Sequence, residues 1–168
     1  MLTAPRRTVA LCAVVLLLTA CDTVGIDGIE SSEPPPATVW NEMLEAVNAV
    51  RSQPQTCGGT SFAPVAPLHW DERLEEAARI HTNDMVRHDH FDHVGTDGSG
   101  PGDRVRRAGY GWRRVGENIA RYQQSVDEVV TAWLDSSGHC EQLMDPRFVE
   151  MGAVERDGYW TQVFGAPR

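Results

Sequence analysis

Lysine is missing altogether. The 15 basic residues are all arginine, set against 24 Asp and Glu for a net charge of −9. A chain this short of positive charge has no general electrostatic footprint for DNA or RNA, so no nucleic-acid partner is expected. Long hydrophobic runs are missing too. The longest, Ala10 to Ala20 (ALCAVVLLLTA), has 11 residues, against the roughly 20 that cross a bilayer as a helix. No internal repeat is evident. Aromatics make up only 7%, beside 41% apolar and 23% charged residues. That is the balance of an ordinary soluble globular protein, and the length suits one domain rather than two.

The short apolar run has another use. Arg6 and Arg7 precede it and Leu18-Thr19-Ala20-Cys21 closes it, which is the layout of a signal peptide. The closing tetrapeptide looks like a bacterial lipobox, in which Cys21 is lipidated and becomes the new N-terminus. Plain secretory cleavage near Ala20 is the alternative. Loss of residues 1–20 leaves 13 Arg against 24 acids. Residues 21–37 are rich in Gly, Ser, Pro and acids, and read as a disordered tether that Pro34-Pro35-Pro36 stiffens. Residues 38–168 then form the domain. The expected place is outside the cytoplasm, lipid-anchored to a bacterial membrane, inner or outer.

Cysteine is scarce, with four residues at positions 12, 21, 57 and 140. Cys12 leaves with the signal and Cys21 carries lipid. The remaining pair in an exported chain is expected to form a Cys57–Cys140 disulfide. The competing reading is a catalytic thiol at Cys140 beside His139.

Apolar spacing predicts a helix from Thr38 to about Ser52, with Trp40, Met43, Leu44, Val47 and Val50 on its buried face. Residues 53–69, with three prolines and Gly58-Gly59, read as a loop. Asp71 opens a second helix that buries Leu74, Ala78, His81 and Met85. Residues 92–114 read as a long loop with one helical turn near Arg104–Ala108, and a loop of that length is usually functional. Ser125 and Glu128 fit a capping box for a third helix, which Gly138 is expected to stop. Asp157-Gly158 between Met151–Arg156 and Tyr159–Phe164 is a hairpin signal. The class is α+β.

Chemistry-bearing residues gather in three places: His88-Asp89-His90-Phe91-Asp92-His93, Gly116-Glu117-Asn118-Ile119-Ala120, and Ser136-Ser137-Gly138-His139. Each is expected at an element end or in a loop. Phe91-Asp92-His93 followed by Gly95, Gly98 and Arg104 is similar to a run found in the CAP superfamily. That group comprises the cysteine-rich secretory, antigen 5 and pathogenesis-related 1 proteins, also called SCP-like. Ala108-Gly109-Tyr110, Gly116-Glu117-Asn118, Trp133-Leu134 with Ser136, Gly138 and His139, then Gly152 and Tyr159-Trp160 with Gln162, Phe164 and Gly165, resemble further stretches of its bacterial branch. Together they span about residues 40–165, and their order and spacing are more specific than any one piece.

The resemblance implies a single α-β-α sandwich with a short, mainly antiparallel sheet. It also implies a cleft lined by two His and two acids. His93, Glu117 and His139 match three of these. The fourth position is Ser136, with Asp135 or Glu141 as substitutes for the missing Glu. Two imidazoles and a carboxylate are a donor set for an open zinc (Zn2+) site, His93 and His139 being the metal ligands. Equally, they could form a hydrogen-bonded cluster that braces the cleft without metal. His88 and His90 read as solvated, His81 as a satisfied core histidine. Ser136 and Ser137 lack a nucleophile elbow. The function expected first is a cell-envelope binding module for a lipid, glycan or protein. A metal-dependent, peptidase-like hydrolase and a structural envelope protein are the alternatives.

Overall fold

The computed structural model describes residues 39–168. The chain divides into units Met1–Glu33 and Pro34–Arg168, and the signal, Cys21 and tether expectations lie outside the described residues.

Helix α1 (Val39–Arg51) leads into a small hairpin, β1 (Gln55–Cys57) and β2 (Thr60–Phe62). The short strand β3 (His69–Trp70) precedes α2 (Glu72–His88). Residues 53–69 therefore hold a hairpin and the start of a strand where the prolines suggested only loop. Asp71 caps α2 as expected, accepting from the N–H groups of Arg73 and Leu74, two of the donors a helix start leaves unpaired. Helix α3 (Pro101–Arg107) and the ten-residue strand β4 (Trp112–Arg121) follow. Here the expectation of a long loop over 92–114 is corrected. Pro101 presets a first helical turn, and the one turn foreseen at Arg104 is a seven-residue helix.

Helix α4 (Val126–Asp135) and helix α5 (Ser137–Leu143) break at Ser136, so Gly138 lies inside α5 and stops nothing. The capping box is half as drawn. Ser125 accepts from the Glu128 N–H, but the Glu128 carboxylate takes the N–H of Gln124. Strands β5 (Glu150–Arg156) and β6 (Tyr159–Pro167) form the foreseen hairpin. Its turn has φ of +51° at Asp157 and +77° at Gly158, the two positive values a tight hairpin turn requires.

The main sheet runs β3-β5-β6-β4, antiparallel except for β3 beside β5. Alternation along β6 decides what faces what. Trp160 and Phe164 join Met43, Val47, Val129, Trp133 and Leu143 on one side, so α1, α4 and α5 cover that face. Val163 joins Leu74, Ala78, Val105 and Tyr110 on the other, under α2 and α3. This is an α-β-α sandwich. Gly152 is where α2 comes closest: a Cβ there would stand 2.1 Å from the Glu75 backbone nitrogen. Trp40 departs from expectation, staying 43% exposed and packing on Trp70 with ring centroids 5.9 Å apart.

Two ties, one covalent and one charged, brace the layer that holds α1 and α5. Cys57 and Cys140 form the expected disulfide, Cα–Cα 5.4 Å, pinning β1 to α5. Cys140 is therefore no catalytic thiol. Buried Arg51 donates to the carbonyls of Ala66 and Leu143 at 2.9 and 2.6 Å. Burial lowers its pKa to about 10, which leaves it charged at neutral pH.

Candidate functional site

Glu117 sits in the middle of β4, not at an element end. The two-residue alternation turns its side chain toward the α2–α3 layer, where only 2% of it is exposed. A carboxylate so buried must be paired, and both oxygens are. Oε1 accepts from His93 Nδ1 at 2.8 Å and Oε2 from Arg104 Nη2 at 2.8 Å. Arg104, itself buried, also donates to the carbonyls of Ser99 and His93 at 2.7 and 3.0 Å. One guanidinium thus fixes both the acid and the loop that carries its histidine.

The next residue faces the other way. Asn118 is fully buried and donates to the His139 carbonyl at 3.4 Å and to Gln162 at 3.2 Å. β4 is an edge strand, with free backbone groups that need partners. Gln142, one turn after His139 on α5, supplies them: its Oε1 accepts the Glu117 N–H at 3.0 Å and its Nε2 donates to the Glu117 carbonyl at 2.7 Å. Gly116 makes this approach feasible, because a Cβ there would stand 2.2 Å from Gln142 Oε1 and 2.7 Å from Phe148 Cζ. The strand edge and the start of α5 therefore meet at one place. An open cleft of ≈ 370 Å³ lies here, lined by His93, Gly102, Trp112, Gly116, Glu117 and Gln142.

His93 keeps 48% of its side chain exposed. Its hydrogen bond to Glu117 raises its pKa, against the opposing effect of burial. His139, half-buried in the first turn of α5, is shifted down, by burial first and then by the charge of His93. The two shifts run in opposite directions, His93 toward imidazolium and His139 toward the neutral ring.

A model of the CAP, or cysteine-rich secretory protein, family matches residues 44–164. The chain belongs to the CAP family. Its CAP domain is similar to YkwD of Bacillus subtilis (strain 168), 38% identical over 100 residues, which cover 58% of this chain and 39% of that protein. It is also similar to the crystal structure of an extracellular protein containing an SCP domain from Bacillus anthracis str. Ames, with TM-score 0.67 and 27% identity over 75% of this chain and 39% of the other. An outer surface protein from Borrelia burgdorferi shares the fold at TM-score 0.60 and 20% identity, over 76% of this chain and 88% of that one. The chain thus spans about two-fifths of the Bacillus proteins.

Within this CAP domain the cleft acids number one. Asp135 is exposed at the end of α4, and Glu141 lines an adjoining cleft of ≈ 550 Å³ with Arg114, Asp145 and Phe148, which shares Val115 and Gln142 with the first. Ser137 packs against the β1–β2 turn, since a Cβ on Gly58 would stand 2.5 Å from its own. His88 is exposed at the end of α2, 3.7 Å from Asp84, and His90 Nε2 meets the Val94 carbonyl at 2.8 Å, bracing the loop before His93. Among the described residues no group of three or more His, Cys, Asp or Glu side chains is placed to hold a metal ion. With Glu117 bound to His93 and Arg104, two imidazoles remain, whereas a catalytic zinc takes three protein ligands. Two imidazoles alone fall short of the ligand set of a resident catalytic zinc.

His81 is the largest departure. It is a core residue, as expected, but it is poorly satisfied: neither ring nitrogen makes a well-formed hydrogen bond among the described residues, and the Asp92 backbone is its one weak partner. Its Nε2 lies 3.8 Å from Glu117 Oε1. Burial lowers its pKa, ahead of the raising effect of Glu117, so the ring is held neutral. Arg104 and Gln142 were the functional residues missed in sequence. Arg104 was visible only as one letter of the resemblance. Gln142 offered the faint signal of standing three residues, one helical turn, after His139.

Proposed function

We propose that this CAP domain is an extracytoplasmic binding module, held to a bacterial membrane through lipidated Cys21, with the cleft as its ligand site. The tether sequence and the extracellular SCP relative support the setting. One observation carries the binding reading: both oxygens of Glu117 are already engaged, one by His93 and one by buried Arg104. The acid is tied on both oxygens to the wall of the cleft and is only 2% exposed, which leaves it little access to a substrate water. His93 lines the open cleft with half of its side chain exposed, while His139 is not among the lining residues, and with Nδ1 bound to Glu117 the Nε2 edge of His93 is the free one. That edge donates a hydrogen bond while His93 is protonated, so the cleft takes an acceptor group of a lipid, glycan or protein.

A hydrolase using His93, Glu117 and His139 is the second reading. The opposite pKa displacements of the two imidazoles favour it, since such pairs assign an acid and a base. Zinc (Zn2+) binds this cleft, in our proposal, through His93 and His139 alone, with Glu117 orienting the His93 ring as second-layer carboxylates do.

Lipid extraction of the chain purified without chelator, with elemental analysis alongside, tests both. Bound ligand should accompany wild type and be lost from His93→Ala. If wild type instead cleaves a casein substrate and Glu117→Gln abolishes the cleavage, the binding reading falls. Zinc titration should give weak, single-site binding that His93→Ala or His139→Ala removes and His88→Ala or His90→Ala retains. Fractionation tests the anchor: Cys21→Ala should leave the membrane fraction, and identical fractionation of mutant and wild type would overturn lipidation.

A further inference from the structure

Immediately past β4 the backbone does something costly. Tyr122 has φ of +79°, a left-handed conformation that is a genuine outlier for a bulky residue and normally falls to glycine. Its N–H donates to the Gly158 carbonyl at 2.8 Å, tying the strand end to the β5–β6 turn before the chain reverses toward α4. Glycine would make this reversal without strain. The tyrosine is nonetheless present, and it is 69% exposed, so packing does not account for it.

Its neighbours form an ordered stack. The Arg121 guanidinium lies 4.9 Å from the Tyr122 ring centroid on one side and 4.8 Å from that of Phe91 on the other. Tyr159 stands behind Phe91, ring centroids 6.3 Å apart, and is itself locked by a 2.7 Å hydrogen bond from its hydroxyl to Asp89. Arg121 is held by rings: among the described residues no ion pair includes it. Because Arg121 covers one face of Tyr122, the exposed area is the other face and the hydroxyl. None of Phe91, Arg121, Tyr122 or Tyr159 lines the cleft; Phe91 stands two residues before His93, but Tyr122, at the far end of the stack, is five residues beyond Glu117 along an extended strand, about 16 Å.

We propose that Phe91, Arg121 and Tyr122 form a platform for a neutral saccharide, which stacks on the free face of Tyr122. A pyranose presents a face of C–H bonds to an aromatic ring and a rim of hydroxyls, each both donor and acceptor. The platform matches both parts. Guanidinium N–H groups of Arg121 donate, and the carboxylate of Asp89, tied to the stack through Tyr159, accepts. That carboxylate and the net charge of −9 oppose a polyanionic glycan or nucleic acid. A protein partner would need a contiguous apolar centre, yet the exposed Phe91, Val94 and Tyr122 are interrupted by charged Asp92 and Arg121. Strain retained at an exposed aromatic fits a functional residue.

Titration of the full chain with the hexasaccharide of N-acetylglucosamine, and with cellohexaose, tests the platform. An Asp/Glu decapeptide serves as the protein-like comparison. Wild type should bind at least one hexasaccharide and bind the peptide at least tenfold more weakly. Tyr122→Gly should lose binding at least tenfold while its melting temperature stays level or rises, because the strain is relieved. Arg121→Ala should weaken binding in the same direction, Tyr122→Phe should retain most of it, and His93→Ala should leave it unchanged. The proposal is overturned if wild type binds neither sugar, if the peptide binds more tightly, if Tyr122→Gly keeps its affinity, or if His93→Ala abolishes binding and so places the sugar in the cleft.

Discussion

Glu117 and His81 show how differently two buried polar groups are treated a few ångströms apart. Glu117 is paired on both oxygens, and one of its partners is a buried guanidinium. Glu117→Gln leaves Arg104 without its counter-charge, and breaking one side of a buried pair typically destabilises by about 3–5 kcal/mol. Urea unfolding at pH 7 should show a loss of that order, whereas His93→Ala, which removes a half-exposed partner, should lose much less. Comparable losses would mean that Arg104 is not the dominant partner. His81 has no well-formed hydrogen bond on either nitrogen, only a weak contact with the Asp92 backbone, and an unpaired buried polar group costs about 1–3 kcal/mol. His81→Leu should therefore match or exceed wild-type stability at pH 7, and exceed it further at pH 5, where the buried imidazole would otherwise be asked to take a proton. Destabilisation at both pH values would show that the ring is hydrogen-bonded after all.

At the scale of elements, the cleft depends on how closely α5 docks on the edge of β4. Gly116→Ala puts a methyl group into Gln142 and Phe148. Forced overpacking of this kind typically destabilises by about 1–3 kcal/mol. It should also push α5 outward and bring the His139 pKa back toward its ordinary value, which imidazole proton NMR would read; an unmoved His139 signal would separate the docking from the histidine. The disulfide pins the same helix from the other side. By chain entropy, a loop of 83 residues contributes roughly 3–5 kcal/mol, and reduction should lower the denaturation midpoint accordingly. How much was legible in sequence follows from the range of each signal. The cap at Asp71 and the Asp157-Gly158 turn are local and were readable. Strand β4 was not. Its outer edge is satisfied by a side chain 25 residues away, and the polar pair Arg113-Arg114 near its start hides the alternation. The fold brings His93 and Glu117 into hydrogen-bond contact, while Arg104, the second partner of the acid, reaches it only through the fold and showed in sequence as one residue of the resemblance.

Across the whole molecule the three perturbed histidines set a shape for stability against pH. His93 has its pKa raised, chiefly by Glu117. The folded state takes up that proton first, so its contribution is full below pH 6.5, the ordinary value, and is lost as pH rises through the raised one. His81 and His139 have theirs lowered, chiefly by burial. Their contributions are full above pH 6.5 and are lost as pH falls toward the lowered values. The two trends meet, so stability should peak near pH 6.5 and decline on both sides. Asp145, whose carboxylate is held low by Arg147 and Arg114 against the opposing effect of its own burial, adds a second loss as pH drops below the ordinary carboxylate range near 4. Since His93 is half exposed, solvent weakens its side of the peak, and the alkaline slope should be the shallower. Guanidinium midpoints measured every half unit from pH 4 to 9 would trace the curve. His93→Ala should flatten the alkaline side into a plateau and leave the acid side standing, while His81→Leu should lessen the acid decline to the share that His139 contributes and leave the alkaline side standing. A wild-type profile that is level from pH 5 to 8, or an alkaline decline that survives His93→Ala, would show that the His93–Glu117 bond does not couple protonation to folding.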